Sequence, residues 1–63
     1  MPIVQISMLE GRTDEQKENV IAEITRVLGE TINAPADSVR VIINDMPKQN
    51  YGIAGVTAKN LNR

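Results

Sequence analysis

Residues 13–32 read TDEQKENVIAEITRVLGETI, and the fold follows from how this stretch is bounded and flanked. Thr13 can cap a helix, and Gln16, three residues on, can bond back to the Thr13 amide, the pairing of a capping box. Asp14 and Glu15 put negative charge in the first turn, where the helix dipole favours it. Val20, Ile21, Ile24, Val27, Leu28 and Ile32 recur at helical spacing on one side, with Lys17, Glu23, Arg26 and Glu30 on the others. The spacing predicts a helix from Asp14 to Thr31 or Ile32, about 27 Å long. Asn33-Ala34-Pro35 ends it, because the residue before a proline avoids helical backbone.

Strands are expected on both flanks. From Pro2 to Leu9, Val4, Ile6 and Met8 alternate with Ile3, Gln5, Ser7 and Leu9. Gly11 supplies the turn before the helix. Ser38 to Met46 carries the β-branched run Val39, Val41, Ile42 and Ile43. A helix between two strands makes a βαβ unit, so the strands should be parallel. Pro47 to Gly55 reads as a loop with a short hairpin, and Val56 to Arg63 shows no deciding pattern. The expectation is α/β: one domain over residues 1–63, with two parallel strands, one long helix and a short C-terminal hairpin. One helix covers one face of a two-stranded sheet. The other face and both edges remain open, so neighbouring subunits should cover them.

Composition narrows the function. Sixty-three residues make a marginal core, and small domains usually need disulfides, a metal or oligomerisation. The chain has no Cys and no His, which excludes a disulfide framework, a usual zinc site, a thiol nucleophile and a His-based triad. Seven basic and eight acidic residues give a net charge of −1, which argues against nucleic acid as a partner. Tyr51 is the single aromatic residue, so bases find no stacking platform. No apolar run approaches a membrane span, and a soluble cytoplasmic protein is expected.

Few residues offer chemistry. Asp14 and Glu18 stand at i, i+4 but have no further ligand in view, and they read as surface charge. Pro2 can be a plain strand start. Met before a small residue is also a common site of initiator-Met removal, which would leave Pro2 with a secondary amine. An α-amino group titrates near ~7.7–8.0, and apolar walls and nearby cations lower that value toward the range useful to a general base. Arg12 follows the turn after the first strand and is either a surface charge or an anion ligand. Arg40 interrupts an apolar strand and is either an inter-subunit salt bridge or a carboxylate grip.

Pro2-Ile3-Val4-Gln5-Ile6, Leu9-Glu10-Gly11-Arg12-Thr13-Asp14-Glu15-Gln16-Lys17, Ser38-Val39-Arg40-Val41-Ile42-Ile43 and Tyr51-Gly52-Ile53-Ala54-Gly55 resemble the 4-oxalocrotonate tautomerases across nearly the whole chain. The resemblance implies a homohexamer, a trimer of dimers. It implies an amino-terminal proline acting as base and then acid, here Pro2. The two substrate-binding arginines correspond to Arg12 and Arg40, supplied by neighbouring subunits, and a backbone amide near Leu9 helps hold the substrate. Tyr51 stands where the family typically has Phe, as a pocket wall with an added hydroxyl, or simply as a packing residue on the hairpin. The implied substrate is an unsaturated 2-hydroxy or 2-oxo acid, probed without metal or organic cofactor, in aromatic-hydrocarbon catabolism. Relatives that add water carry an extra acid in the hairpin region, which is absent from residues 51–55. A non-catalytic oligomerisation module, or the supporting chain of a hetero-hexamer, is the alternative.

Overall fold

The computed structural model describes all 63 residues, Met1–Arg63. Strand β1 (Ile3–Leu9) leads through Gly11, at φ +121°, into helix α1 (Asp14–Ile32). The capping box forms: Gln16 N–H donates to Thr13 Oγ1 at 3.1 Å and Thr13 N–H donates to Gln16 Oε1 at 3.0 Å. At the other end Asn33 adopts left-handed backbone at φ 57°, and Ala34 N–H donates to the Leu28 carbonyl at 3.3 Å.

Strand β2 (Arg40–Met46) returns parallel to β1, with Ile3 opposite Arg40 and Leu9 opposite Met46. It starts two residues later than the Ser38 expected from the sequence. Pro35 opens a 3-10 turn over Ala36–Ser38, and both the amide and the hydroxyl of Ser38 donate to the Pro35 carbonyl, at 2.9 and 2.7 Å. Ser38 is thereby committed to the turn. A second 3-10 turn, Lys48–Asn50, follows Pro47. The hairpin pairs β3 (Gly52–Ile53) with β4 (Val56–Thr57). Its turn residues Ala54 and Gly55 both have positive φ, 52° and 83°, the pattern of a type I′ turn. The returning strand thus lies in the segment whose sequence carried no clear pattern.

Val4, Ile6, Met8, Val41 and Ile43 are half-buried on the sheet face under the helix, while Ile3, Gln5, Ser7, Ile42 and Asn44 are exposed on the other. The helical stripe divides in the same way. Val20, Ile24 and Leu28 are half-buried, but Ile21, Val27 and Ile32 remain exposed, Ile32 by 59%. A two-stranded sheet is too narrow to cover six positions. Only Ala58 is fully buried.

The single chain exposes 4757 Å², against about 4,000 Å² for a compact monomer of this mass. Its radius of gyration is 14.7 Å, against about 11 Å for a compact chain of this length. The shape, 43 × 23 × 14 Å, reflects a C-terminal arm that packs mainly on the second 3-10 turn. An extended arm and an open apolar face are what a subunit of an assembly presents. No helix is long and apolar enough to cross a membrane.

Candidate active site

Parallel pairing sorts the candidate residues to two ends of the sheet. At the starting edge, Pro2 enters β1 and its carbonyl accepts the Arg40 N–H at 3.0 Å. Register therefore ties Pro2 to the first residue of β2. The Arg40 guanidinium is exposed and donates to the carbonyls of Asp37 and Val39, at 2.7 and 3.3 Å. The first 3-10 turn thus orients the cation without neutralising it. Met1 is 77% exposed, so the Met1–Pro2 bond is open to an aminopeptidase. While Met1 is attached, the Pro2 nitrogen is an amide with no lone pair to offer as base.

The finishing edge of the sheet holds the other residues. Leu9 and Arg12 line a cavity of about 440 Å³ together with Glu10, Gly11, Lys48 and Arg63. Glu10 N–H continues the ladder to the Met46 carbonyl at 2.9 Å, and its carboxylate accepts the Lys48 N–H at 3.0 Å. Arg12 also borders a smaller cleft with Met8, Gln16, Lys17 and Val20. There Lys17 pairs with Asp45 at the end of β2. The hydrogen bond to Asp45 holds the Lys17 ammonium above its ordinary range, opposed in part by desolvation. Tyr51 lies out on the arm, 41% exposed, with its carbonyl accepting Ala58 N–H at 2.7 Å.

Within one chain, Pro2 meets Arg40, and Leu9 meets Arg12, but the two pairs stay apart. Seven residue steps separate Pro2 from Leu9, about 23 Å of extended strand and well beyond a side chain's reach. None of the three cavities includes Pro2, Arg40 or Tyr51. Lys48 and Arg63 were not singled out in the sequence. The signal that could have found Lys48 is its place just past the carboxyl end of a parallel strand, where ligand sites collect. No three acidic side chains converge to hold a metal ion.

Comparison with known proteins sets this geometry in context. A family model described as "Tautomerase enzyme" matches residues 2–60. A 2-hydroxymuconate tautomerase of Comamonas testosteroni is 59% identical over 63 residues, covering all of both chains. A 4-oxalocrotonate tautomerase isozyme structure from Methylibium petroleiphilum is 52% identical, with a TM-score of 0.90 over 98% of this chain and 100% of that one. A heterohexameric 4-oxalocrotonate tautomerase from Chloroflexus aurantiacus is 30% identical, with a TM-score of 0.88 over 97% of this chain and 98% of that one.

Proposed function

This chain belongs to the tautomerase family, a family of isomerases, and on that premise we propose that it shifts a proton within an unsaturated 2-hydroxy/2-oxo dicarboxylic acid of the 2-hydroxymuconate class. The observation that carries the reading is Pro2 at the accessible start of β1, joined through its carbonyl to Arg40, in a chain matched end to end by a 2-hydroxymuconate tautomerase.

Removal of Met1 turns the Pro2 nitrogen into a free secondary amine. In its neutral form it takes the proton from the substrate's 2-hydroxyl, breaking O–H and forming N–H. The resulting dienolate spreads its charge over a conjugated chain. Arg12 and Arg40 bind a carboxylate and the neighbouring oxygen, stabilising that charge where it develops. The Pro2 ammonium then gives the proton to a carbon of the chain, leaving the 2-oxo acid and the neutral amine. Atoms balance with no external reductant or oxidant. Leu9 supplies a backbone contact, and Tyr51 forms an apolar wall that disfavours charge on Pro2.

Arg12 lies too far along β1 to serve the Pro2 of its own chain, so the complete site takes Arg12 from another copy. The assembly proposed is a homohexamer, a trimer of dimers, in which the exposed faces of Ile3, Ile42, Ile21 and Ile32 are covered. The heterohexameric relative supports a second reading, in which this chain assembles with a different tautomerase subunit. Activity of the chain purified alone favours the first reading, and inactivity restored by a second subunit favours the other.

The test is ketonisation of 2-hydroxymuconate by Met1-free protein and by its Pro2→Ala variant. Loss of the base should lower kcat by about 10²–10⁴. Equal rates in an intact assembly would remove the proposal.

A further inference from the structure

Arg40 is held from two directions. Its backbone N–H donates to the Pro2 carbonyl at 3.0 Å, which fixes the start of β2 beside the start of β1. Its side chain turns back over the preceding 3-10 turn, where Nη1 donates to the carbonyls of Asp37 and Val39 at 2.7 and 3.3 Å. These acceptors are backbone oxygens. The Asp37 carboxylate forms no ion pair with Arg40, since the ion pairs of the chain engage only Lys17 and Arg26. A guanidinium bound to neutral carbonyls keeps its charge for an anion.

Nη1 is the one nitrogen of the guanidinium with an acceptor in the chain. Nε–H and both Nη2 protons remain, and they lie along one edge of the planar fork. That edge matches a pair of neighbouring oxygens on an anionic ligand. The turn therefore selects which edge of the cation a substrate meets.

Ser38 closes this turn. Pro35, at φ −59°, offers a carbonyl on backbone that its ring holds fixed. The amide and the hydroxyl of Ser38 both donate to that carbonyl, at 2.9 and 2.7 Å. The Ser38 N–H and the Asp37 carbonyl belong to one planar trans peptide unit and point in opposite directions. Fastening the N–H to Pro35 thus aims the carbonyl away from it, toward Nη1. The amide bond alone forms the turn, and the hydroxyl bond stiffens it.

We propose that Ser38 is a positioning residue for Arg40: it pins the Asp37–Ser38 peptide to Pro35, aims the Asp37 carbonyl at Nη1, and so leaves the Nε/Nη2 edge to the substrate. The inference rests on the reading of Arg40 as a substrate-binding residue.

The test uses Met1-free protein in its native assembly and ketonisation of a dicarboxylated 2-hydroxydienoate. Ser38→Ala keeps the amide bond of the turn and loses the hydroxyl bond. Its kcat should fall about tenfold, short of the roughly 10²-fold that misplacing a site group can cost. KM should change by less than about twofold, because the aim of the guanidinium matters most where charge develops. Ser38→Thr, which keeps the hydroxyl, should retain most of the activity. In an Arg40→Ala background, Ser38→Ala should cause no further loss, since a residue acting through Arg40 has no effect without it. No loss from Ser38→Ala, an equal loss with and without Arg40, or an equal loss in Ser38→Thr overturns the proposal. If the original protein does not turn over the substrate, the function proposed above falls instead. Nitrogen-15 relaxation of the Arg40 Nε–H then decides the positioning. An ordered side chain that becomes mobile in Ser38→Ala supports it, and equal order in both proteins overturns it.

Discussion

Mixing two inactive variants should restore activity. Arg12 follows β1 and Pro2 precedes it, and the seven steps from Pro2 to Leu9 hold them about 23 Å apart along an extended strand. A site that needs both must draw them from different chains. Pro2→Ala removes the base and leaves Arg12 intact, whereas Arg12→Ala does the reverse. When equal amounts are unfolded together and reassembled, each site has an even chance of an intact Pro2 and, independently, of an intact Arg12. About a quarter of the sites then carry both, so the mixture should recover about a quarter of the original kcat. Each variant alone should fall by about 10²-fold or more. The assay is ketonisation at saturating substrate, with intact mass confirming mixed assembly. Activity of the mixture no higher than the mean of the two variants would refute the reasoning, since it would mean both groups act within one chain. The corresponding mixture of Pro2→Ala and Arg40→Ala reports whether Arg40 serves the Pro2 beside it or that of a neighbour.

Other outcomes follow from the fold. Thr13→Ala breaks the reciprocal bonds with Gln16 and should destabilise the protein by about 1 kcal/mol, read by urea unfolding at fixed protein concentration. Ala54 sits at φ 52°, so Ala54→Asn, which tolerates left-handed backbone and completes an Asn-Gly turn, should stabilise by about 0.5–1 kcal/mol in the same assay. Lys17 gains affinity for its proton on folding through Asp45. Its contribution is therefore complete below the ordinary lysine value and is lost as pH rises through the raised one. The stability gap between the original protein and Lys17→Met should shrink as pH rises above the ordinary lysine value of 10.5. A gap that widens over that rise would be inconsistent with this assignment.

The helix was legible because its ends are written locally. Thr13 and Gln16 bond across three residues, and Asn33 precedes the Ala-Pro pair that stops the helix. Alternation along Ile3–Leu9 likewise put Val4, Ile6 and Met8 on one face, and that face is the half-buried one. The start of β2 was less legible. Ser38 has the choice of extending the strand or closing the turn behind Pro35, and two bonds to the Pro35 carbonyl decide it. β-propensity does not register that competition.

The site was legible as residue types but not as an arrangement. Pro2, Arg12, Arg40, Leu9 and Tyr51 could be picked from the chain, but their division between the two ends of the sheet depends on the parallel register. The approach of Arg63 to Lys48 depends on a left-handed Asn62 and on bonds that return to Ala58 and Lys48. Nothing periodic announces such a path. The exposure of Ile21, Val27 and Ile32 was legible only as apolar spacing, because a sequence does not say how wide the covering sheet will be.

The account turns on the Pro2 nitrogen being a free amine. The most direct measurement compares the initial rate of 2-hydroxymuconate ketonisation for two preparations of the same assembled chain, one lacking Met1 and one retaining it, each verified by intact mass. The Met1-free protein should be active, and the Met1-bearing protein slower by about 10²-fold or more. Equal rates would contradict the account, since an amide nitrogen cannot take the proton.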